Sequence, residues 1–368
     1  MEKQKEVKEV SSREPVRVGI SIGDINGIGP EVIMKALNDN RMMVDCTPII
    51  YGSAKIFSFH KKSLEGIEFN FLTINSADEA KKRKINVVNI WNDEIEFDLG
   101  KPTEKSGKYA FESLERATQD LASGKIDVLV TAPISKEAMG KTGFKFPGHT
   151  EYLADLAGQE DALMLMVSPT LRVGLVTSHI ALKEVPQNIS INKISDKIRQ
   201  FNASLTKDFG IQKPKIAVLG LNPHAGEHGK MGDEEQQIII PAIKNVNDEG
   251  VMAFGPFPAD GFFGSGAIKS YDGVLAMYHD QGLAAFKALS FDEGVNYTAG
   301  LPIVRTSPDH GTAYDIVGQN KASEQSMRNA IYVAIDVYRN QQFLKEITAN
   351  PLPIAENDDK RREKHKEV

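Results

Sequence analysis

The chain has very little cysteine: Cys46 is the single cysteine among 368 residues. One cysteine cannot form an intrachain disulfide, and it cannot supply the paired thiolates of a structural zinc site. Any metal site must therefore be built from histidines and carboxylates. The cysteine usage also fits a reducing compartment, and we expect the protein to be cytoplasmic.

Long hydrophobic runs are missing as well. No apolar run approaches the ~20 residues that are needed to span a bilayer, and the N-terminus has no apolar segment of the signal-peptide kind. The net charge of −6 lacks the basic surplus of a nucleic-acid-binding protein. We therefore expect neither a membrane nor a nucleic acid as partner. The mixed-charge ends, residues 1–13 and 352–368, are predicted to be flexible.

What the chain does contain is an alternation of strand-like and helix-like segments, long enough for two domains. Apolar runs that end in turn residues predict buried strands, and apolar positions at helical spacing predict the helices between them. The alternation predicts an α/β protein with a mostly parallel or mixed sheet. The predicted strands are 16–24, 47–53, 126–133, 162–168, 171–179, 215–224 and 271–280, and the predicted helices are 30–39, 106–125, 190–210 and 323–343.

Three histidines follow predicted strands: His179 after "VGLVTS", His224 after "AVLGLNP" and His279 after "VLAMY". Ligands bind at the carboxyl ends of strands in open α/β sheets, so the three rings predict a shared site. Three imidazoles with an open position are a common ligand set for a catalytic divalent metal. The alternative is that each ring bonds a backbone carbonyl at a strand end. Asp280 would orient His279, contact the substrate, or cap a helix that begins near Gly282.

Polar residues after the third histidine predict an anion pocket. They are Lys287, Asn296 and Arg305, and "NYTAGLPIVRTS" predicts a loop and then a short strand that ends in Arg305. A lysine, an amide and an arginine near a metal would bind a phosphate or carboxylate. His149 and Thr150 stand at a predicted helix N-terminus, where backbone N–H groups also favour anions. The alternatives are solvated surface charges and, for Thr150, a simple N-cap.

The glycine-rich segment "GDINGIGPEV" has neither the G-x-G-x-x-G spacing nor the G-x-x-x-x-G-K spacing, which argues against a Rossmann dinucleotide site. Its family is indicated by other motifs in the chain: "TAPISKEAM", "FPGHTEYLA", "TSHIALKEVP", "LNPHAGE", "YHDQGLAAFK" and "VRTSPDHGTAYDIVG". From about residue 16 to 340 the chain resembles the 4-hydroxythreonine-4-phosphate dehydrogenases of pyridoxal 5′-phosphate biosynthesis. One departure is Ile25-Asn26, where the common form has Pro-Ala.

The family in turn resembles the isocitrate and isopropylmalate dehydrogenases. This implies two α/β/α domains with an active-site cleft between them, and a fold that is not of the Rossmann kind. We expect residues 14–144 and 301–345 to form the first domain. Residues 145–300 would form the second, which would carry the metal and the dimer contacts. A homodimer with active sites at the subunit interface is also implied.

The resemblance further implies roles for individual residues. His179, His224 and His279 would bind one divalent metal (Zn, Mg or Co) and would come from both subunits. The loop with His310, Gly311 and Asp315 would bind NAD or NADP. The substrate-binding positions would be His149, Thr150, Asp260, Asp280, Lys287, Asn296 and Arg305. Of these, Asp280 and Lys287 are the catalytic candidates.

The implied reaction is the NAD(P)-dependent oxidation of 4-phosphooxy-L-threonine at C3. The resulting β-keto acid would lose CO₂ to give 3-amino-2-oxopropyl phosphate, and the metal would polarise the C3 hydroxyl. A close alternative is a dehydrogenase of D-threonate or D-erythronate 4-phosphate. A non-redox metal-dependent hydrolase or lyase of a phosphorylated substrate, and a metal-dependent binding protein without turnover, are the alternatives from other classes.

Overall fold

The computed structural model describes residues 14–92, 94–146, 148–159 and 162–351. Strands and helices alternate through these ranges, which confirms the predicted α/β class. The termini that are predicted to be flexible lie outside the described residues. The strands are β1 (Val16–Ser21), β2 (Cys46–Gly52), β3 (Leu72–Ile74), β4 (Asn86–Asn89), β5 (Val128–Thr131), β6 (Leu163–Val167), β7 (Arg172–Leu175), β8 (Lys215–Leu219), β9 (Met252–Phe257), β10 (Gly273–Ala276), β11 (Val295–Ala299) and β12 (Arg305–Pro308).

These strands form one continuous mixed sheet, in the order β3-β4-β2-β1-β5-β12-β11-β6-β7-β10-β8-β9. From β3 to β12 every neighbouring pair is parallel, and so is every pair from β7 to β9. The direction changes in the middle, where β11 pairs antiparallel with β12 and β6, and β6 pairs antiparallel with β7. A sheet with antiparallel strands at its centre differs from the parallel sheet of Rossmann folds.

Helices cover this sheet. They are α1 (Gly29–Leu37), α2 (Ala54–Lys61), α3 (Glu104–Ala122), α4 (Lys136–Gly140), α5 (His149–Leu156), α6 (Ile191–Lys207), α7 (Ile240–Asp248), α8 (Ala259–Gly264), α9 (His279–Ser290) and α10 (Gln325–Thr348). In the described part of the chain, none of them has an apolar stretch long enough to cross a bilayer.

The hydrophobic core runs through both halves of the sheet. One cluster of buried side chains includes Val18 of β1, Leu165 of β6 and Leu275 of β10. Helix α10 contributes Ile331 and Ile335 to the same cluster and packs against β5, β12 and β11 at the centre of the sheet. The division of the chain into two domains therefore stays a prediction, because sheet and core are continuous across it.

The strands that precede the three histidines are neighbours in this sheet. β10 pairs in parallel with β7 on one side and with β8 on the other. His179, His224 and His279 thus follow the carboxyl ends of three adjacent strands that run in one direction.

Two boundaries from the sequence are wrong. Residues 295–299 form β11 instead of a loop, and Arg305 begins β12 instead of ending a strand. The β-branched and aromatic residues of this segment favour a strand once β6 and β12 are available on both sides. The helix after β10 begins at His279 and not near Gly282. A Cβ at Gly282 would lie 2.8 Å from Val173, so this glycine allows α9 to pack closely on the sheet.

Gly273 at the start of β10 offers a test of this packing. A Cβ at this position would clash with the ring of the fully buried Phe201. We expect Gly273→Ala to lower the free energy of unfolding by about 1–3 kcal/mol, as overpacking of a core does. Urea denaturation measures this change. Gly264→Ala is the matched control, because a Cβ there meets nothing within 4 Å. Equal midpoints for the two variants would contradict the close contact between β10 and α6.

Candidate functional site

A cleft of about 930 Å³ lies against the central strands of the sheet. Arg305 and Ser307 are two residues apart in β12, and Asn296 and Thr298 are two residues apart in β11. Side chains alternate along a strand, so these residues point to one face of the sheet. The segments that follow β5, β7 and β12 and the first turn of α5 complete the wall of the cleft. Its volume is in the range of small-molecule sites.

Arg305 is the most deeply buried charge in the cleft wall, with 2% of its surface exposed. In the described chain its hydrogen bonds all go to threonine hydroxyls. The guanidinium donates to Thr131 at 2.7 and 3.2 Å, to Thr150 at 3.2 Å and to Thr298 at 3.5 Å. Burial lowers the pKa of Arg305 to about 10, an effect that the nearby Glu151 carboxylate partly offsets. A buried cation with only neutral partners is suited to receive an anion.

His149 and Thr150 begin helix α5 beside this guanidinium, as predicted. The Nε2 atom of His149 is buried and has no hydrogen-bond partner. Burial, and then the nearby Arg305, hold the pKa of His149 well below its ordinary value, so the ring is neutral. The Thr150 hydroxyl accepts a hydrogen bond from Arg305, and Thr150 is not the N-cap residue, which is Gly148.

Lys287 reaches the cleft from α9 and pairs with Asp309, with 3.0 Å between Nζ and Oδ1. The second carboxylate oxygen of Asp309, Oδ2, is buried without a partner, and so is Oδ1 of Asn296. Burial raises the pKa of Asp309, an effect that the bond from Lys287 partly offsets. Buried polar atoms without partners are rare in native proteins, and two of them here indicate a wall that is completed by a ligand.

His179 and His279 come together next to the cleft, with 5.9 Å between ring centroids. Each ring has a carboxylate on its Nδ1 side: Oε1 of Glu151 is 3.6 Å from His179, and Oδ1 of Asp280 is 2.7 Å from His279. Carboxylates in this position commonly orient metal-binding histidines and leave Nε2 free for the metal. Two of the three predicted ligands therefore suit a divalent cation, and Asp280 takes the orienting position considered for it.

The third predicted ligand, His224, does not join the other two in a group of three metal ligands within the described chain. It begins a run of five residues, 224–228, that all have left-handed backbone angles. Such a run is costly for residues other than glycine, and strain of this kind is concentrated at functional sites. Among the described residues, no group of three or more His, Cys, Asp or Glu side chains is arranged to hold a metal. One chain by itself thus brings two of the three histidines together.

The predicted dinucleotide loop lies at another part of the cleft wall. His310 and Gly311 line the cleft. Nε2 of His310 is buried without a partner, and burial lowers the pKa of this ring. A Cβ at Gly311 would meet nothing within 4 Å, so the space beside it is open. Asp315 points away from the cleft.

Three acidic candidates do not line the cleft. Asp260 in α8, Asp280 in α9 and Asp315 in the loop after β12 are exposed. Their assignments as substrate- or cofactor-binding residues stay predictions.

Sequence reasoning missed several residues of the cleft. Thr131, which holds Arg305, ends β5 within the quoted motif "TAPISKEAM". Glu151 follows Thr150 directly, and Asp309 directly precedes His310. These residues could have been found from their positions, since each one lies in a quoted motif or directly beside a residue that was predicted to belong to the site. Lys136, in the same motif as Thr131, and Lys193 also line the cleft, but no pattern in the sequence marks Lys193.

Comparisons with known proteins agree with this geometry. Residues 44–334 match the model of a family described as pyridoxal phosphate biosynthetic protein PdxA. A 4-hydroxythreonine-4-phosphate dehydrogenase from Bacteroides thetaiotaomicron is 52% identical over 338 residues, 92% of this chain and 93% of that protein. A Cutibacterium acnes protein, provisionally named D-threonate 4-phosphate dehydrogenase, is 43% identical over 338 residues, 89% of this chain and 96% of that protein.

Solved structures share the fold. A 4-hydroxythreonine-4-phosphate dehydrogenase from Klebsiella pneumoniae superposes with a TM-score of 0.78 at 35% identity, covering 89% of this chain and 99% of that one. A terephthalate 1,2-cis-dihydrodioldehydrogenase from Burkholderia xenovorans has the same fold with a TM-score of 0.59 at 23% identity, covering 88% of this chain and 98% of that one.

Replacement of Arg305 by methionine tests the anion pocket without any substrate. A buried charge that lacks a charged partner costs stability, so we expect Arg305→Met to leave the unliganded protein equally stable or up to about 4 kcal/mol more stable. Inorganic phosphate should raise the Tm of the wild type and have no effect on the Tm of the variant.

The control for this experiment is Arg17→Met. Arg17 is paired with Asp127 at 2.6 Å and does not line the cleft. This variant should keep the phosphate-dependent rise in Tm. A phosphate response that survives in Arg305→Met, or a loss of several kcal/mol of stability in that variant, would contradict the proposed role of the unpaired guanidinium.

Proposed function

The chain belongs to the family of the pyridoxal phosphate biosynthetic protein PdxA, and from this premise we propose that it oxidises 4-phosphooxy-L-threonine at C3 with NAD(P). The product, 2-amino-3-oxo-4-phosphooxybutanoate, is a β-keto acid that loses CO₂ to give 3-amino-2-oxopropyl phosphate. The observation that carries the proposal is the buried Arg305, which has hydroxyl partners only, in the wall of a cleft of substrate size.

The anionic groups of the substrate would be held by the chain's own cations and amides. Arg305 and the first turn of α5 would bind the phosphate, because the guanidinium and the helix N-terminus both offer N–H donors there. Lys287, positioned by Asp309, would bind the carboxylate that is later lost as CO₂. Fixing both ends of a short substrate orients its C3, and orientation can supply several kcal/mol of a rate enhancement.

Carboxylates in the same cleft would bind the amino group of the substrate. Glu151, Asp155 and Asp309 all line it. An ammonium group gains more than a hydroxyl group from such neighbours, since hydrogen bonds between charged groups are the stronger ones. This favours the amino acid over the sugar-acid phosphates as substrate.

The residues present fit a divalent metal and a dinucleotide. His179 and His279, with carboxylates behind them, would supply metal ligands, and the wall at His310 and Gly311 would receive the dinucleotide. When bound, the metal polarises the C3 hydroxyl and the nicotinamide accepts a hydride. Asp280 would keep the ring of His279 in one tautomer, and the Lys287 ammonium would neutralise the substrate carboxylate beside C3.

A kinetic comparison tests the substrate. With one enzyme preparation, NADH formation is measured for 4-phosphooxy-L-threonine and for D-threonate and D-erythronate 4-phosphate. We expect kcat/KM to be higher for the amino substrate by about ten- to a hundredfold, the value of one charge-assisted hydrogen bond.

Each other outcome favours a named alternative. A preference for a hydroxy substrate would indicate the threonate or erythronate enzyme, to which the 43% identical relative points. Turnover of the phosphorylated substrate without NADH would indicate a hydrolase or lyase. Metal binding without turnover of any of these compounds would indicate a binding protein.

We also propose that the active site is completed by a second copy of the chain. Among the described residues of one chain, His224 does not join His179 and His279 in a group of three metal ligands. The apolar side chains of Ile180 and Leu182, just after His179, are 38% and 68% exposed. A homodimer would cover these side chains and supply His224 from the partner subunit. A cytoplasmic location stays a prediction.

Mixed dimers test the shared site. Subunits carrying His224→Ala are combined with subunits carrying His279→Ala, under conditions in which subunits exchange. One of the two sites would then have all three histidines, so about half of the wild-type activity should return, although each parent is inactive.

The matched control is the pair His179→Ala and His279→Ala. These two histidines adjoin each other in one chain, so every site of their mixed dimer lacks a ligand and should stay inactive. Confirmed heterodimers of the first pair without recovered turnover would overturn the proposal of a shared site.

A further inference from the structure

The glycine-rich loop between β1 and α1, residues 23–29, contains a buried carboxylate. Asp24 is 1% exposed and accepts three hydrogen bonds. The donors are the Tyr314 hydroxyl at 2.8 Å, the Ser106 hydroxyl at 3.0 Å and the backbone N–H of Asn26 at 2.9 Å. Tyr314 comes from the loop after β12, the loop that also carries His310 and Gly311. Asp24 thus joins two loops that are 290 residues apart in sequence.

Asn26, one of the two positions where this chain departs from the common family form, strengthens the same junction. Its side-chain amide donates to the carbonyl of Lys101 at 3.1 Å and to the hydroxyl of Thr103 at 3.2 Å, and its Oδ1 accepts from the N–H of Asp98 at 3.0 Å. An alanine at this position could make none of these side-chain bonds. These hydrogen bonds therefore fix the loop 23–29 to the segment before α3.

The facing loop, residues 310–318, packs on the core through Ile316 and Val317 but also has a strained position. It contains Ala313 with φ of +41°, a left-handed conformation that is unfavourable for alanine. A contact with loop 23–29 holds it in place next to this residue: the N–H of Ile28 donates to the carbonyl of Thr312 at 3.0 Å. A Cβ at Gly27 would lie 2.7 Å from the same carbonyl oxygen, so only glycine permits this approach. Loop 310–318 keeps its shape because a neighbour holds it.

We propose that the hydrogen bond from Tyr314 to Asp24 is a latch that holds loop 310–318 in the conformation that binds the dinucleotide. This rests on the proposed function, in which His310 and Gly311 face the dinucleotide. Tyr314 is a positioning residue, since its hydroxyl bonds Asp24, with Ser135 and Thr312 as further hydrogen-bond partners, and neither Tyr314 nor Asp24 lines the cleft. A loop that is fixed before binding loses less conformational entropy when the ligand arrives, so the latch increases affinity without touching the ligand.

The test is the variant Tyr314→Phe, which removes one hydroxyl and keeps the ring. We expect the Kd for NAD(P), measured by calorimetry, to rise about tenfold because the loop must be ordered on binding. The KM for the dinucleotide should rise in parallel. kcat and the KM for the phosphorylated substrate should stay near their wild-type values. Amide hydrogen exchange should become faster in residues 310–318 of the unliganded variant.

Tyr51→Phe is the matched control. The Tyr51 hydroxyl donates to the carboxylate of Asp120 at 2.9 Å, also in a buried position, and neither residue lines the cleft. Both variants lose a hydrogen bond from a tyrosine to a carboxylate, and Tyr314→Phe also loses the contacts of its hydroxyl with Ser135 and Thr312. A general loss of stability should therefore appear in both. Weaker dinucleotide binding and faster exchange in residues 310–318 should appear only in Tyr314→Phe.

The outcomes separate the latch from the proposed function. If the wild type binds a dinucleotide and Tyr314→Phe binds it equally well, the latch is overturned and the function stands. An equal loss of affinity in Tyr51→Phe overturns the latch too, since the effect is then general. If the wild type binds neither NAD nor NADP, the proposed function fails, and the latch fails with it as a device for binding the dinucleotide.

Discussion

The buried guanidinium of Arg305 is the constraint on which the rest of the site depends. It stands where the two halves of the sheet meet, and its hydroxyl partners come from β5, β11 and α5. None of these partners carries a charge, and the nearby Glu151 carboxylate offsets only part of the cost of burying the cation. An arrangement of this kind lowers stability, and the binding of an anion at the site would relieve the cost. The same buried charge thus lowers the stability of the unliganded protein and raises its affinity for a phosphorylated ligand.

The change of strand direction at the centre of the sheet places the other polar side chains of the cleft around the Arg305 guanidinium. Because β11 runs against both β12 and β6, it presents Asn296 and Thr298 on the same face as Arg305 and Ser307. The parallel strands β7, β10 and β8 lie farther along the sheet and present their histidines at one common edge. The anion pocket therefore occupies a face of the sheet and the histidines an edge. The cleft extends from that face toward the edge where His179 stands.

Local sequence patterns were sufficient to predict much of the fold and part of the candidate site. Apolar runs followed by turn residues predicted β1, β2, β5, β6, β7, β8 and β10, and the position of the histidines after three of them predicted that the three rings share a site. The motif-based resemblance named Arg305, His149 and Lys287, which all line the cleft. The pattern failed at residues 295–299, where strand formation depends on partners on both sides and not on the segment alone.

The sequence by itself determined the α/β class, the family and the kinds of residue that can do chemistry here, because periodicity and motifs are local properties. The tertiary structure decided which of these residues meet. It paired Asp280 with His279, and it paired Lys287 with Asp309, a residue of a quoted motif to which no role had been assigned. It joined Asp24 to Tyr314 across 290 positions of the chain, and within the described part of one chain it did not assemble His224 with the other two histidines into a group of three ligands. Such pairings arise from the order and direction of strands, which fix distances between residues that are far apart in sequence.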